Sequence, residues 1–318
     1  PTGPTGIGTF AYVTNNSDNT VSVIDTATNT VVGLPIPVGN GPFLIAIADT
    51  LTGIFAYATN NSDNTVSVID TATNTVVGSP IPVGNGPIGI AIADTSTGIF
   101  AYVTNTNDNT VSVIDTATNT VVGLPIPVGN GPIGIAIADT STGIFAYVTN
   151  TIDNTVSVID TATNTVVGSS IPVGNRPEEI AIANTSNGIF AYVPNAGGNT
   201  VSIIDTATNT VVGSPIPVGN TPAEIAIANT SSGIFAYVTN ELDNTVSIID
   251  TATNTIVGSP IAIGNGPIGI AITNTSSGIF AYVTNSNDNT VSIIDTATNT
   301  VVGSPIPVGN TPIGIAIT

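Results

Sequence analysis

Cysteine, methionine, tryptophan, histidine and lysine are all absent from this 318-residue chain, and its one basic side chain is Arg176. Without cysteine there is no disulfide, thiolate nucleophile or cysteine metal site; without histidine the commonest general base and metal ligand is missing. One Arg against 20 Asp and Glu leaves a net charge of −19. Nucleic acid and anionic membrane surfaces are thereby excluded as partners, because both are bound through clustered Lys and Arg. No run of about 18 apolar residues is present, so no membrane span is expected, and no charged-then-apolar leader opens the chain. With Met absent, Pro1 is expected to continue a longer or processed chain. Trypsin-like proteases find one target bond and oxidants few side chains, which favours an extracellular setting.

What is present is periodic. Hydrophobic residues make up 41% of the chain, enough for a sizeable core. The Tyr of the motif AYVTN falls at Tyr12, Tyr57, Tyr102, Tyr147, Tyr192, Tyr237 and Tyr282, each 45 residues after the last. Each copy holds four short runs rich in β-branched residues, bounded by Asn, Asp and Gly, and these read as strands. In the third copy they are Ile88–Ala93, Ile99–Thr104, Thr110–Ile114 and Thr120–Val128. No helical stripe of useful length survives the frequent Pro and Gly. Pro35, Pro37 and their counterparts place the fourth run at an outer edge, where a missing backbone donor is tolerated. Gly89, Ala91 and Ala93 alternate with Ile88, Ile90 and Ile92, so one face of the first strand is expected to be crowded.

Four strands in a unit of this size predict the blade of a propeller. The sequence opens on a second strand, residues 10–14, and finishes on a first strand, residues 313–318. The expected fold is therefore all-β: a seven-bladed β-propeller of four-stranded antiparallel blades, its ring closed by the C-terminal strand completing the N-terminal blade.

The AYVTN, VSVIDTATNTVV and PIGIAI segments resemble the YVTN-type β-propeller repeat family of archaeal surface-layer and bacterial secreted proteins, over residues 7–318. That resemblance implies a seven-bladed propeller in a cell-surface setting, without one activity common to all members. Residues 1–6, Pro-Thr-Gly-Pro-Thr-Gly, resemble the end of a collagen-like Gly-Pro-Thr tract of the kind seen on bacterial spore surfaces. The expected division is thus a tract or linker at 1–6 and the propeller at 7–318. An upstream collagen-like stalk would imply attachment as a trimer or fibre.

Two Asp series recur. Asp25, Asp70, Asp115, Asp160, Asp205, Asp250 and Asp295 end the third strand, where each is expected to accept hydrogen bonds from its own DTATNT turn. Asp18, Asp63, Asp108, Asp153, Asp243 and Asp288 lie in the hairpin between second and third strands; Gly198 in the fifth copy rules out a calcium site shared by every blade. The copies differ most where Arg176, Glu178, Glu179, Glu224 and Glu241 stand, with Pro194, Ala196, Gly197, Gly198 and Leu242 beside them. These five charged residues are the candidate binding residues: Glu178, Glu179 and Glu224 are expected beside the channel mouth with Arg176 to offset them, and Glu241 near the same face. Neither a metal nor a cofactor is expected, and the lack of nucleophile, imidazole and cationic clamp argues against an enzyme. The function expected is a non-enzymatic module displayed on a cell or spore surface, a structural cap or adhesion unit for surface proteins or glycans. The alternative is a propeller binding a ligand or metal ion at its acidic channel mouth.

Overall fold

The computed structural model describes residues 9–318, so the predicted collagen-like tract lies outside the described residues. Seven antiparallel sheets form the ring of a β-propeller. Blade one comprises Phe10–Asn15, Thr20–Asp25 and the outer pieces Thr30–Val31 and Ile36–Pro37, with Pro312–Ile317 as its inner strand. The inner strands of blades two to seven begin at Pro42, Pro87, Pro132, Ala181, Pro222 and Pro267. In most blades the outer strand is split into two pieces that both pair with the third strand, rather than running unbroken as the sequence suggests. The break falls at glycines such as Gly33 and Gly123, whose φ of 72° and 73° a side chain would strain. Only blade seven keeps one outer strand, Thr300–Pro307.

No single core lies at the centre. Successive residues of a strand point to opposite faces, and each face of a blade is buried against a different neighbour. In blade three, Tyr102, Val111 and Val113 pack with blade four, while Ala101, Val103 and Ile114 pack with blade two. This explains why TVSVID is buried along its middle without the alternation of a half-exposed sheet. On the inner strand the crowding falls at Gly89 and Ala93, which is fully buried; Ala91 is only half-buried.

The repeat motifs make sense as one contact between blades. Tyr102 donates its hydroxyl to Oδ1 of Asn164 (2.6 Å), in the DTATNT turn of the next blade. The same bond recurs around the ring and closes it from Tyr282 to Asn29. Asn164 sits at φ 54°, a left-handed conformation that Asn tolerates. Asp160, as expected, accepts from Ala162 N within its own turn (2.8 Å). Burial, reinforced by the neighbouring Asp160, pushes the Tyr102 hydroxyl up to about 12. Tyr102→Phe is expected to cost about 1 kcal/mol, because the freed Asn164 is exposed and water can replace the lost donor. A shift in the denaturant midpoint checks this.

The second Asp series does something the sequence did not reveal. Asp108 accepts from Asn85 N (2.7 Å) and Asn85 Nδ2 (2.8 Å), clamping its hairpin to the connection that enters the same blade. Five other carboxylates of the series do likewise. Hydrogen bonds from the Asn backbone and side chain hold these carboxyls below the usual range.

Candidate functional site

The inner strands converge on the axis, and a repeated device spaces them. Thr104 Oγ1 accepts from Gly89 N (2.7 Å) within its blade and donates to Ile133 O (2.8 Å) in the next. A Cβ on Gly89 would lie 2.1 Å from that same carbonyl, so glycine is required there. Blade five departs from this arrangement at all three residue positions, although Glu178 O still accepts from Thr149 of blade four. Glu178 and Glu179 replace Ile and Gly, and Pro194 replaces the Thr. Proline has no hydroxyl to serve the neighbouring carbonyl. Instead Glu178 N donates to Pro194 O (2.9 Å), and Glu179 N reaches across to Ala223 O of blade six (3.4 Å). The inner strand consequently starts late, at Ala181, and Pro177 keeps only an isolated bridge to Asn195.

Room for large side chains comes from the remaining glycines. Leu44, Glu179 and Glu224 occupy the position that is Gly in the other four blades, and each faces one of those glycines. A Cβ on Gly134 would lie 2.7 Å from Glu179 Cα; on Gly269, 3.2 Å from Glu224 Oε2; on Gly314, 3.2 Å from Leu44 Cδ2.

The result is a cavity of about 190 Å³ at one mouth of the channel, bordered by Arg176, Glu178, Glu179, Glu224 and Glu241. The four glutamates among them are all the glutamates the chain has. Phe43, Leu44, Ile133 and Ile268 supply an apolar wall from other blades. A roomier groove of about 920 Å³ opens on the outer rim between blades one and two, lined by turn and edge-strand residues around Leu34 and Asp25.

Burial dominates the electrostatics. Arg176 Nε approaches Glu178 Oε1 to 2.9 Å, yet the pair is not aligned as a hydrogen bond, and Arg176 stays largely in solvent. Burial raises Glu178 above the usual range against the pull of Arg176, with Glu241 adding repulsion. Burial likewise pushes Glu179 up to about 8; Ile180 N–H, at 3.4 Å from Oε2, offsets this in part, and Glu178 adds to it. Its other oxygen, Oε1, is out of contact with solvent and has no hydrogen-bond partner. Glu224 is raised well above the usual range by burial and then by repulsion from Glu179, against one bond from Ile270 N (3.3 Å). Both residues keep an edge toward the channel. At neutral pH Glu179 is therefore mostly a carboxylic acid, which can donate a hydrogen bond or release a proton, and Glu224 is shifted in the same direction.

The sequence put Glu178, Glu179 and Glu224, with Arg176, beside the channel mouth and Glu241 only on the same face; all five line one cavity. It did not single out Phe43 and Leu44 opposite them, although Phe-Leu at 43–44 departs from the usual Ile-Gly. Nor did it connect Pro194 to the glutamates. Among the described residues no group of three or more Asp, Glu, Cys or His is arranged to hold a metal ion.

No protein-family model matches the chain, and no curated protein is similar to it in sequence. Solved structures resemble it in fold. A protein of unknown function from Desulfotomaculum acetoxidans superposes with a TM-score of 0.79 at 19% identity, covering 97% of this chain and 98% of that one. A candidate 6-phosphogluconolactonase from Bacteroides fragilis gives 0.76 at 16% identity, covering 99% of both chains. Streptogramin B lyase gives 0.68 at 16%, covering 96% of this chain and 91% of its own. At these identities the likeness is one of fold. It nonetheless corrects the expectation drawn from composition that the chain is not an enzyme: proteins named as a lactonase and a lyase share this ring. The physical reason is that composition counts kinds of side chain, whereas burial at the mouth alters the protonation of those present.

Proposed function

We propose that this chain is a ligand-binding propeller whose site is the acidic channel mouth, and that its ligand is a small organic cation such as an alkylammonium. The observation that carries this is Glu179 Oε1, buried at the cavity without a partner and next to Glu224. An ammonium would supply the missing donor and the compensating charge, while Phe43, Leu44, Ile133 and Ile268 would pack its carbon body. A bare metal ion fits this mostly apolar wall less well. Because Glu179 is protonated when the site is empty, binding of a cation beside it releases a proton.

Calorimetry with cyclohexylammonium at pH 7, in two buffers of different ionisation enthalpy, tests this against cyclohexanol. The amine should bind with net proton release and the alcohol should not. Glu179→Gln should weaken the amine about tenfold or more, as expected for one charge-assisted contact of roughly 1.5 kcal/mol. Equal binding of alcohol and amine would refute the reading.

The setting we propose is extracellular, at a cell or spore surface. The single basic residue, the lack of Met and Cys and the resemblance to YVTN repeats support it. There, a lysine side chain of a neighbouring surface protein is a ligand of suitable chemistry. A second, catalytic reading rests on Glu179 being held up to about 8. A carboxyl protonated at neutral pH can act as a general acid on a bound glycoside or lactone. Hydrolysis of such substrates that disappears in Glu179→Gln would favour this reading over simple binding.

A further inference from the structure

The face opposite the glutamates carries a second departure among the blades. The triplet Asn-Thr-Ser occurs at 184–186, 229–231 and 274–276, at the hairpin between first and second strands in blades five, six and seven. Blades three and four have Asp-Thr-Ser at the same place, at 94–96 and 139–141. One exchange of carboxylate for amide, in three consecutive blades, thus creates Asn-x-Ser, the acceptor triplet for N-linked glycan.

The structure separates these triplets from the others in the chain. Two more are present, Asn15-Asn16-Ser17 and Asn60-Asn61-Ser62. Asn15 and Asn60 are wholly buried and use their Nδ2 groups on hydroxyls, Asn15 on Ser22 (2.9 Å) and Asn60 on Ser67 (2.9 Å). Asn184, Asn229 and Asn274 are exposed, as are Ser186, Ser231 and Ser276. The hairpin is tied by the middle residue instead: Thr185, Thr230 and Thr275 donate to the carbonyls of Gly188, Gly233 and Gly278 at 2.9–3.0 Å. Among the described residues the three Asn amides and three Ser hydroxyls make no hydrogen bond to protein.

We infer that Asn184, Asn229 and Asn274 are attachment sites for N-linked glycan, forming an arc over three of the seven blades on the face that lies away from the channel mouth. The co-reactant is a lipid-pyrophosphate-linked oligosaccharide with its transferase. Asn Nδ2 attacks the sugar C1 and loses one proton to a base of that enzyme. The N–C1 bond forms, the C1–O bond breaks, and the lipid pyrophosphate leaves with the electron pair; nothing is oxidised or reduced. The inner strand of blade five, Ala181–Thr185, begins close to Glu179 and carries Asn184 at its far end, so glycan on this arc leaves the mouth open.

The test is peptide mapping by mass spectrometry of the chain purified from its natural producer, with an endoproteinase that cuts at Asp, since one Arg makes trypsin useless. Glycan is expected on Asn184, Asn229 and Asn274 and on neither Asn15 nor Asn60. Ser186→Ala, expressed in the same producer, should lose the glycan at Asn184 alone, its folding checked by an unchanged melting temperature. Three unmodified asparagines would overturn the inference. So would glycan on Asn15 or Asn60, which would mean that exposure in the fold does not select the sites.

Discussion

Deletion of residues 312–318 is expected to abolish the folded ring and leave an aggregating chain. That segment is the inner strand of blade one, paired with Phe10–Asn15 through Ala11–Ile317, Tyr12–Ala316 and Val13–Ile315. It buries Ile313 and Ile315 in two different inter-blade cores. Losing a buried Ile costs about 2–5 kcal/mol, and the ladder and the bond from Thr284 to Ile313 O (2.8 Å) are lost as well. Together these approach the whole net stability of a domain, about 5–15 kcal/mol. The exposed edge of Phe10–Asn15 would also become a template for pairing between chains. Light scattering and thermal melting check the outcome, and adding a peptide of residues 310–318 in trans should restore the monomer. A truncated chain that stayed monomeric with its melting temperature unchanged would contradict this closure.

Glu179→Gln is expected to stabilise the fold at neutral pH and not at pH 4. Glu179 moves from its ordinary 4.5 to about 8 on folding. Below its ordinary value both states are protonated and nothing is lost. As pH rises through the window between the two values, the unfolded chain releases the proton while the folded chain keeps it. Stability then falls by up to about 1.4 kcal/mol per pH unit. At pH 7 the penalty is on the order of 2 kcal/mol, discounted because the residue is only half-buried. Glutamine matches the shape without the titration, so the melting temperature should rise by a few degrees at pH 7–8. Glu224→Gln should act in the same direction. The Asp–Asn clamps behave oppositely: their lowered values contribute stability above the ordinary Asp range that is lost as pH falls through the folded value. A gain from Glu179→Gln that was equal at pH 4 and pH 8 would count against a protonated Glu179.

The blade count was legible in the sequence because the contact joining Tyr102 to Asn164 must recur identically at every blade junction, and so must the residues that make it. Ring closure was legible because the two chain ends hold complementary phases of one blade. The Asp63 clamp was not: its partner, Asn40, lies 23 residues earlier, and only the return of the chain through the blade brings the two together. The acidic residues of the mouth could be picked out as departures from the repeat. Their chemistry could not, because it depends on which glycines face them and on Pro194, which leaves Glu179 N to serve Ala223 O. The missing nucleophile, imidazole and cationic clamp spoke against catalysis, and composition could not say whether Glu178, Glu179 and Glu224 were buried. Burial raises Glu179 and Glu224 above the ordinary glutamate range.

The most direct test is a carbon NMR titration of the chain labelled at Glu Cδ, which carries only four labelled carboxyls. Glu179→Gln and Glu224→Gln assign two of the signals. The account predicts that Glu179 titrates with a midpoint of about 8, and that Glu224 also stays protonated well above the ordinary glutamate range. Four carboxyls all titrating near the ordinary 4.5 would contradict it.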